Sequence, residues 1–352
     1  MALFKAVLIE HGYATTRYEQ EILSAAGGEF IDAEKLPLDD ALVLCETAGA
    51  ILFRRLTITA SMLRRFRRCK IIVRYGVGTD NVDVLAATEL GIMVGHVPGY
   101  CIDEVSTHAL ALWLDCVRAV SSTRGAMAHG KWDVHREEPL FRVAGKTMGI
   151  VGLGNIGQAF ARKLQGWNLR VLAFDPFADP ARAKELGVTL VEFPDLCRQA
   201  DYLSLHCPLL PETFHLLDEK AFALMKWGVM VINTARGPVV DTAALVSAIE
   251  RGVVSRAGLD VFEEEPLPGE SVLRSHPRVV VTDHTAWYSE ESQAQLQSMA
   301  AEEIARVCTG GLPLSLANPE VIYRMNRAAE WAPAESMRWQ LRRSGLDGLK
   351  RE

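Results

Sequence analysis

The sequence predicts an α/β protein built of two doubly wound parallel-sheet domains, on three observations. Short apolar, β-branched runs alternate with stretches of helical spacing along most of the chain, the pattern of parallel strands covered by helices on both faces. That rhythm breaks at Ile102–Ala119, where IDEVSTHALALWLDCVRA reads as one long apolar helix, and it starts again at Thr147–Gly152. The 352 residues suffice for two cores of ordinary size.

In the first part, strands are predicted at Ala6–Glu10, Glu29–Asp32, Ala50–Phe53, Lys70–Arg74 and Ile92–His96, with helices over Tyr18–Ala26 and Thr59–Phe66. The long helix carries Asp103 and Glu104 in its first turn, where they complement the helix dipole. It leads into a second series of strands at Thr147–Gly152, Arg170–Phe174, Tyr202–His206, Val229–Asn233, Arg256–Asp260 and Val279–Thr282. A helix over Ser289–Cys308 has no place in that order and is expected to return to the first domain. The expected organisation is a domain of residues 1–101 completed by 289–320, a domain of 102–288, and a C-terminal extension over 321–352. The extension is rich in Arg, Ala and Glu and holds Trp331 and Trp339; a helix docked on a partner and a frayed tail both fit it.

Composition narrows the function. With 49% apolar and 23% charged residues the chain is an ordinary globular protein. A net charge of -6 argues against gripping phosphate backbones, so no nucleic-acid partner is expected. The basic cluster Arg64, Arg65, Arg67, Arg68 and Lys70, with Arg54 and Arg55 upstream, reads as the solvated side of a helix before a buried strand. No apolar stretch is long enough to span a membrane, and the N-terminal apolar run is too short for a signal peptide. Seven scattered cysteines without a C-x-x-C pair suggest reduced thiols and a cytoplasmic location, and no metal is expected.

Gly152-Leu153-Gly154-Asn155-Ile156-Gly157 is a G-x-G-x-x-G that follows the apolar run MGIV and opens the helical stretch QAFARKLQGW. The next strand, RVLAF, ends at Asp175, 23 residues after the first glycine. This is the dinucleotide-binding context. Gly152 permits the tight turn, Gly154 lets backbone approach a pyrophosphate, and Gly157 lets helix and strand pack closely. The helix N-terminus offers free N–H groups to phosphate. Asp175 can accept from both ribose hydroxyls and would repel a 2′-phosphate, so the cofactor expected is NAD rather than NADP.

Three later strands each end in polar residues: Val229–Asn233 before Thr234-Ala235-Arg236, Arg256–Leu259 before Asp260 and the triplet Glu263–Glu265, and Val279–Thr282 before Asp283-His284. Ligands of doubly wound sheets bind at the carboxyl ends of strands. An Arg, an acid and a His there suit reduction of a carbonyl. The His supplies a proton to the oxygen, a paired carboxylate raises its pKa and fixes its tautomer, and the Arg holds a substrate carboxylate. Each also has a plain structural reading. The triplet suits a solvated loop, His284 a satisfied loop histidine, and Arg236 an ion pair with Asp241. Three such residues at three strand ends favour the site.

These residues resemble the D-isomer-specific 2-hydroxyacid dehydrogenase family. The likeness runs to about Ala317 and is carried by RYGVGTDNVD at Arg74–Asp83, GLGNIG, HCPL at His206–Leu209, NTARGPVVD at Asn233–Asp241 and GLDVFEEEP at Gly258–Pro266. It implies a Rossmann nucleotide-binding domain and a discontinuous, flavodoxin-like substrate domain with a cleft between them, in a homodimer. It implies Arg236, Glu265 and His284 as the catalytic set, with Asp260 near the nicotinamide carboxamide. It extends the NAD contacts from the glycine turn and Asp175 to His206, Cys207, Thr213, Thr234 and Ala235. It gives the substrate carboxylate to Tyr75, Gly76, Val77 and Gly78, with Arg74 or Arg236 assisting. A Gln at the Glu265 position would have suggested formate oxidation.

DHTAWYSEES at Asp283–Ser292 is further similar to C-terminal-binding proteins, the NAD-linked corepressors, as are Arg74 and Trp287. Trp287 and the extra Arg imply a 2-oxo acid with an apolar side chain. Asp283 departs from the family, in which Pro often precedes the catalytic His. The expected activity is hydride transfer between NAD(H) and a small 2-oxo or 2-hydroxy acid. An NAD(H)-sensing protein with little turnover is the rival class, and a dehydrogenase of an unusual small oxyanion a third.

Overall fold

Strands form in the first hundred residues where β-branched and apolar side chains cluster, and helices fill the gaps. The computed structural model describes residues 2–133 and 139–325. The order is β1 (Phe4–Leu8), α1 (Arg17–Ala25), β2 (Gly28–Asp32), α2 (Leu38–Cys45), β3 (Ala50–Phe53), α3 (Ala60–Arg65), β4 (Ile71–Arg74), α4 (Val84–Glu89) and β5 (Met93–Gly95). All pairings are parallel, in the sheet order β2-β1-β3-β4-β5. Every residue of β3 is buried, as a strand covered on both faces must be. Helices α2 and α4 are not among those the sequence predicts.

The chain then builds a second unit, Cys101–Tyr288. It opens with α5 (Ile102–Arg118) and α6 (Val120–Ala128), and continues as β6 (Thr147–Val151), α7 (Asn155–Lys163), β7 (Arg170–Phe174), α8 (Pro180–Glu185), β8 (Val188–Leu190), α9 (Phe193–Gln199) and β9 (Tyr202–Leu205). After these come α10 (Glu219–Leu224), β10 (Val229–Asn233), α11 (Thr242–Glu250), β11 (Val254–Leu259), α12 (Val272–Ser275) and β12 (Val279–Val281). The sheet is β12-β11-β10-β9-β6-β7-β8, wholly parallel. Its order reverses at β6, the strand that leads into the glycine turn, so the reversal lies where such sheets bind dinucleotides. Helix α5 packs on α7, β10 and β11. Its Trp113 is fully buried, edge-on to Trp167 and Tyr202 at 5.4 Å each.

The first unit is finished by the chain from Ser289 on. Ser289 and Ser292 form a reciprocal capping box at the start of α13 (Glu290–Cys308), which packs on α1, β3 and β4. Asn318 pins the return. Its Oδ1 accepts from the Val94 amide at 2.8 Å, and its Nδ2 donates to the Ile92 carbonyl at 2.9 Å. Past residue 320 the first unit continues, since α14 (Glu320–Arg324) buries Val321 and Ile322 against α4. Trp331 and Trp339 of the expected extension lie outside the described residues. The two parallel-sheet α/β units are the fold class that the sequence predicts. Among the described residues, no helix is long and apolar enough to cross a membrane, and no cluster of His, Cys, Asp and Glu could hold a metal ion.

Candidate active site

The glycine turn is built by close backbone contact. Gly152 has φ +89, and a Cβ there would lie 2.7 Å from the Cys207 amide nitrogen. A Cβ on Gly157 would sit 2.1 Å from the Gly152 carbonyl oxygen, so only glycine lets α7 start this close to the end of β6. Gly154 is the N-cap of α7 and has open space where a Cβ would stand. No side chain caps the first turn of α7, so the amides of Asn155, Ile156 and Gly157 are the helix-start donors that a phosphate would take. Asp175, half-buried at the end of β7, accepts from the Leu153 amide at 2.8 Å and the Phe177 amide at 2.8 Å.

Two buried polar atoms at the ends of neighbouring strands lack protein partners: Thr234 Oγ1 and His206 Nδ1. A cradle without side chains, a carboxylate at its edge and such unsatisfied atoms fit a dinucleotide. His206 Nε2 meets Ser204 Oγ at 2.9 Å, and burial holds the imidazole down near a pKa of about 3, so the ring is neutral. Burial pushes the Cys207 thiol up to about 12, which makes it an inert lining group. Thr213 is folded into its own loop, donating to the Pro208 carbonyl at 2.7 Å and accepting from the Leu210 amide at 2.8 Å. The buried Asn233 shapes the next turn: its Oδ1 accepts from the Ala235 amide at 3.0 Å and its Nδ2 donates to the Arg236 carbonyl at 2.9 Å.

His284 and Glu265 meet. Nδ1 of the ring lies 2.6 Å from Glu265 Oε2, and both side chains remain over a third exposed. Since the carboxylate can only accept, Nδ1 carries the proton and Nε2 is the nitrogen left for chemistry. Burial works to raise the Glu265 pKa. The hydrogen bond and charge of His284, the Phe262 amide at 2.9 Å and the Arg236 guanidinium outweigh it and hold the carboxyl below its ordinary value. Arg236, Glu265 and His284 lie beyond the ends of β10, β11 and β12, with His284 bonded to Glu265 and the Arg236 charge acting on the same carboxylate. Asp283, the departure from the family pattern, is exposed, and Glu265 is the carboxylate bonded to the ring.

The frame behind His284 is Asp260. Its side chain is 1% exposed and accepts from Thr282 Oγ1 at 2.6 Å, the Thr285 amide at 3.0 Å and the Ala286 amide at 3.0 Å. Its carbonyl accepts from the His284 amide at 2.9 Å. Four bonds from one residue hold His284 at φ +58, a left-handed conformation uncommon for a side chain of this size. The carboxylate therefore faces into the loop it organises. Behind it, His108 on α5 meets Thr282 Oγ1 at 2.9 Å. Trp287 donates from Nε1 to the His284 carbonyl at 3.0 Å.

A second histidine–carboxylate pair was missed in the sequence. His215 Nε2 lies 2.6 Å from Glu263 Oε1, and Glu263 Oε2 accepts from the Thr242 amide at 2.8 Å. The triplet thus sends Glu263 to one histidine and Glu265 to another. Two acids two residues apart, with histidines elsewhere in the chain, were the available signal.

In the first unit, the segment Tyr75–Gly78 leaves the end of β4. Tyr75 is buried and donates to the fully buried Glu19 at 2.6 Å; Gln297 Nε2 donates to the same carboxylate at 3.1 Å. His96 Nδ1 donates to the Val77 carbonyl at 2.8 Å, and burial lowers its pKa to about 4. A loop so braced presents Val77 outward.

Residues 110–286 match the family model described as D-isomer specific 2-hydroxyacid dehydrogenase, NAD binding domain. The chain belongs to that family. It is an NAD-dependent oxidoreductase acting on 2-hydroxy and 2-oxo acids. A glyoxylate reductase of Korarchaeum cryptofilum is 37% identical over 268 residues, 75% of this chain and 81% of that protein. A D-3-phosphoglycerate dehydrogenase of Methanocaldococcus jannaschii is 34% identical over 293 residues, 83% of this chain and 56% of that longer protein. Among solved structures, a glyoxylate reductase from Paecilomyes thermophila superposes with a TM-score of 0.82 at 29% identity, covering 91% of this chain and 99% of that one.

Proposed function

We propose that the chain is a 2-oxo acid reductase in which Arg236, Glu265 and His284 do the chemistry. The observation that carries this reading is the 2.6 Å bond between His284 Nδ1 and Glu265, which leaves Nε2 to hold the working proton. Bound NADH supplies the hydride that reduces C2. His284 delivers its Nε2 proton to the oxygen, and Glu265 stabilises the charged ring beforehand. Arg236 holds the substrate carboxylate and polarises the carbonyl with its fork of donors. In the first unit, Tyr75 to Gly78, with Arg74, are the proposed substrate-binding residues that the family resemblance implies. Asp260, drawn near the carboxamide by the family resemblance, serves chiefly to hold the His284 loop. The glycine turn, Asp175, His206, Cys207, Thr213, Thr234 and Ala235 hold the cofactor. Replacing Asp175 by Ala is expected to weaken NAD binding by roughly tenfold or more, the loss of charge-assisted hydrogen bonds. The same variant narrows the preference over NADP, and fluorescence titration of both cofactors checks it.

A cytoplasmic homodimer completes the proposal. None of the seven cysteines, all among the described residues, is in a disulfide. Helix α6 buries none of its residues and exposes Val120 and Met127, with Trp132 and Phe141 exposed further on. Sedimentation at two concentrations tests the dimer. NADH consumption with a panel of 2-oxo acids tests the activity. The likeness of Asp283–Ser292 to corepressors supports a second reading, an NAD(H) sensor; tight NADH binding without turnover on any acid would favour it.

A further inference from the structure

The acid triplet carries one carboxylate that the proposed chemistry uses, Glu265, and one that it leaves idle. That second carboxylate, Glu263, is held at both oxygens. Oε1 lies 2.6 Å from His215 Nε2, and Oε2 accepts from the Thr242 amide at 2.8 Å, at the first residue of α11. A negative charge is favoured at that helix end. His215 is fixed in its turn. Its backbone sits at φ +48, in the left-handed region, and its amide donates to the Pro238 carbonyl at 2.8 Å. Its ring stacks on Phe214, with centroids 4.0 Å apart and planes 16° from parallel. Asp241 Oδ2 stands 3.8 Å from His215 Nδ1, while Oδ1 accepts from the Ala244 amide at 3.0 Å.

This pair joins two turns. The Leu217 amide donates to the Val239 carbonyl at 3.1 Å, and the Asp241 amide to the Leu217 carbonyl at 3.1 Å. The segment carrying His215 therefore runs along the turn that follows Arg236. Gly237, next to Arg236, abuts the peptide between Phe262 and Glu263. A Cβ there would stand 1.8 Å from the Phe262 carbonyl carbon and 2.4 Å from the Glu263 nitrogen. Phe262 gives its amide to Glu265 Oε1 at 2.9 Å, and Glu265 Oε2 takes the His284 ring. The Glu263 side chain thus anchors the loop of residues 262–265 against the Arg236 turn, and Glu265 rides on that anchored loop.

We propose that His215 and Glu263 are positioning residues for the reduction. Their bond clamps the loop of residues 262–265 onto the turn after β10, and the clamp keeps Glu265 aligned on His284. This rests on the reductase reading. Neither residue gives or takes the transferred proton, since both Glu263 oxygens serve other donors. Alignment matters because groups that move a proton work only when held within about 0.5 Å of the productive geometry.

The test is a double-mutant cycle on kcat, with NADH and the fastest substrate among glyoxylate, hydroxypyruvate and pyruvate. His215→Ala is expected to lower kcat about 10-fold or more in the wild-type background, with KM changed less than about threefold. In the Glu265→Gln background no carboxylate is left to align, so the same change should cost less than about threefold. His215→Gln, which can still donate to Glu263, should recover most of the loss. The two side chains are 31% and 32% exposed, so their truncation opens no cavity in the core. Should His215→Ala fail to fold, Glu263→Gln takes its place in the cycle, since it keeps the size and removes one of the two acceptors. Full kcat in His215→Ala, equal losses in both backgrounds, or a loss carried by KM overturns the positioning role and leaves the reductase standing. No turnover with any of the three acids while NADH still binds removes the reductase reading and this proposal together.

Discussion

Replacing His284 by Asn is expected to lower kcat for 2-oxo acid reduction by about 10²–10⁴-fold, the usual worth of a positioned proton donor. Asn keeps a polar group of similar reach, and the loop is held by Asp260 through the backbone amides of residues 284, 285 and 286, which the substitution retains. The fold and NADH affinity should therefore be nearly unchanged. Single-turnover kinetics with NADH titration separates the two effects. A variant with full kcat would place the proton donor elsewhere.

Glu265→Gln is the second large effect, about 10²-fold or more in kcat, with a changed pH profile. The neutral amide can still accept from Nδ1 but no longer stabilises a charged ring. In the wild type, the Glu265 pKa lies below that of a free glutamate, near 4.3. Its pairing with His284 is therefore fully present above the free-glutamate range and is lost as pH falls through the lowered value. The same direction holds for Glu263, lowered against its burial by the hydroxyl and amide of Thr242 and by His215. Wild-type kcat/KM should thus persist to pH values at which a free glutamate is already half protonated. In Glu265→Gln that acid limb should vanish from the profile. An unchanged acid limb would assign it to another group.

Much of this site was legible because its residues lie just past the strands. Six predicted strands run one or two residues beyond the observed ladders, at Glu10, His96, Gly152, His206, Asp260 and Thr282. At each, the apolar run continues into a residue that has left the ladder and turned toward the carboxyl edge. The pattern that defines a strand therefore also points at the positions of the candidate site. What stayed illegible has physical reasons too. Strand β8 is three residues long, and α6 carries no buried stripe, so neither shows a periodicity. The partnerships of Asp260 with Thr282, His108 with Thr282, and Glu263 with His215 join residues 22, 174 and 48 positions apart. Spacing along a chain carries no information about such pairs until the sheet has placed them. The same holds for Arg54, which reads as part of a solvated basic cluster until the Tyr13 ring is seen beneath it.

The return of the chain to its first unit also sets an order of events during synthesis. When β1 to β5 have left the ribosome, Glu19 has Tyr75 but not Gln297, and the Val94 amide lacks Asn318. Helix α13, which covers α1, β3 and β4, is still nearly two hundred residues from being made. The early segment must wait with one apolar face uncovered, while the unit begun later is complete as soon as Tyr288 emerges. The half of the protein written first is thus the half finished last, and its exposed interval lasts about ten to forty seconds at ordinary elongation rates.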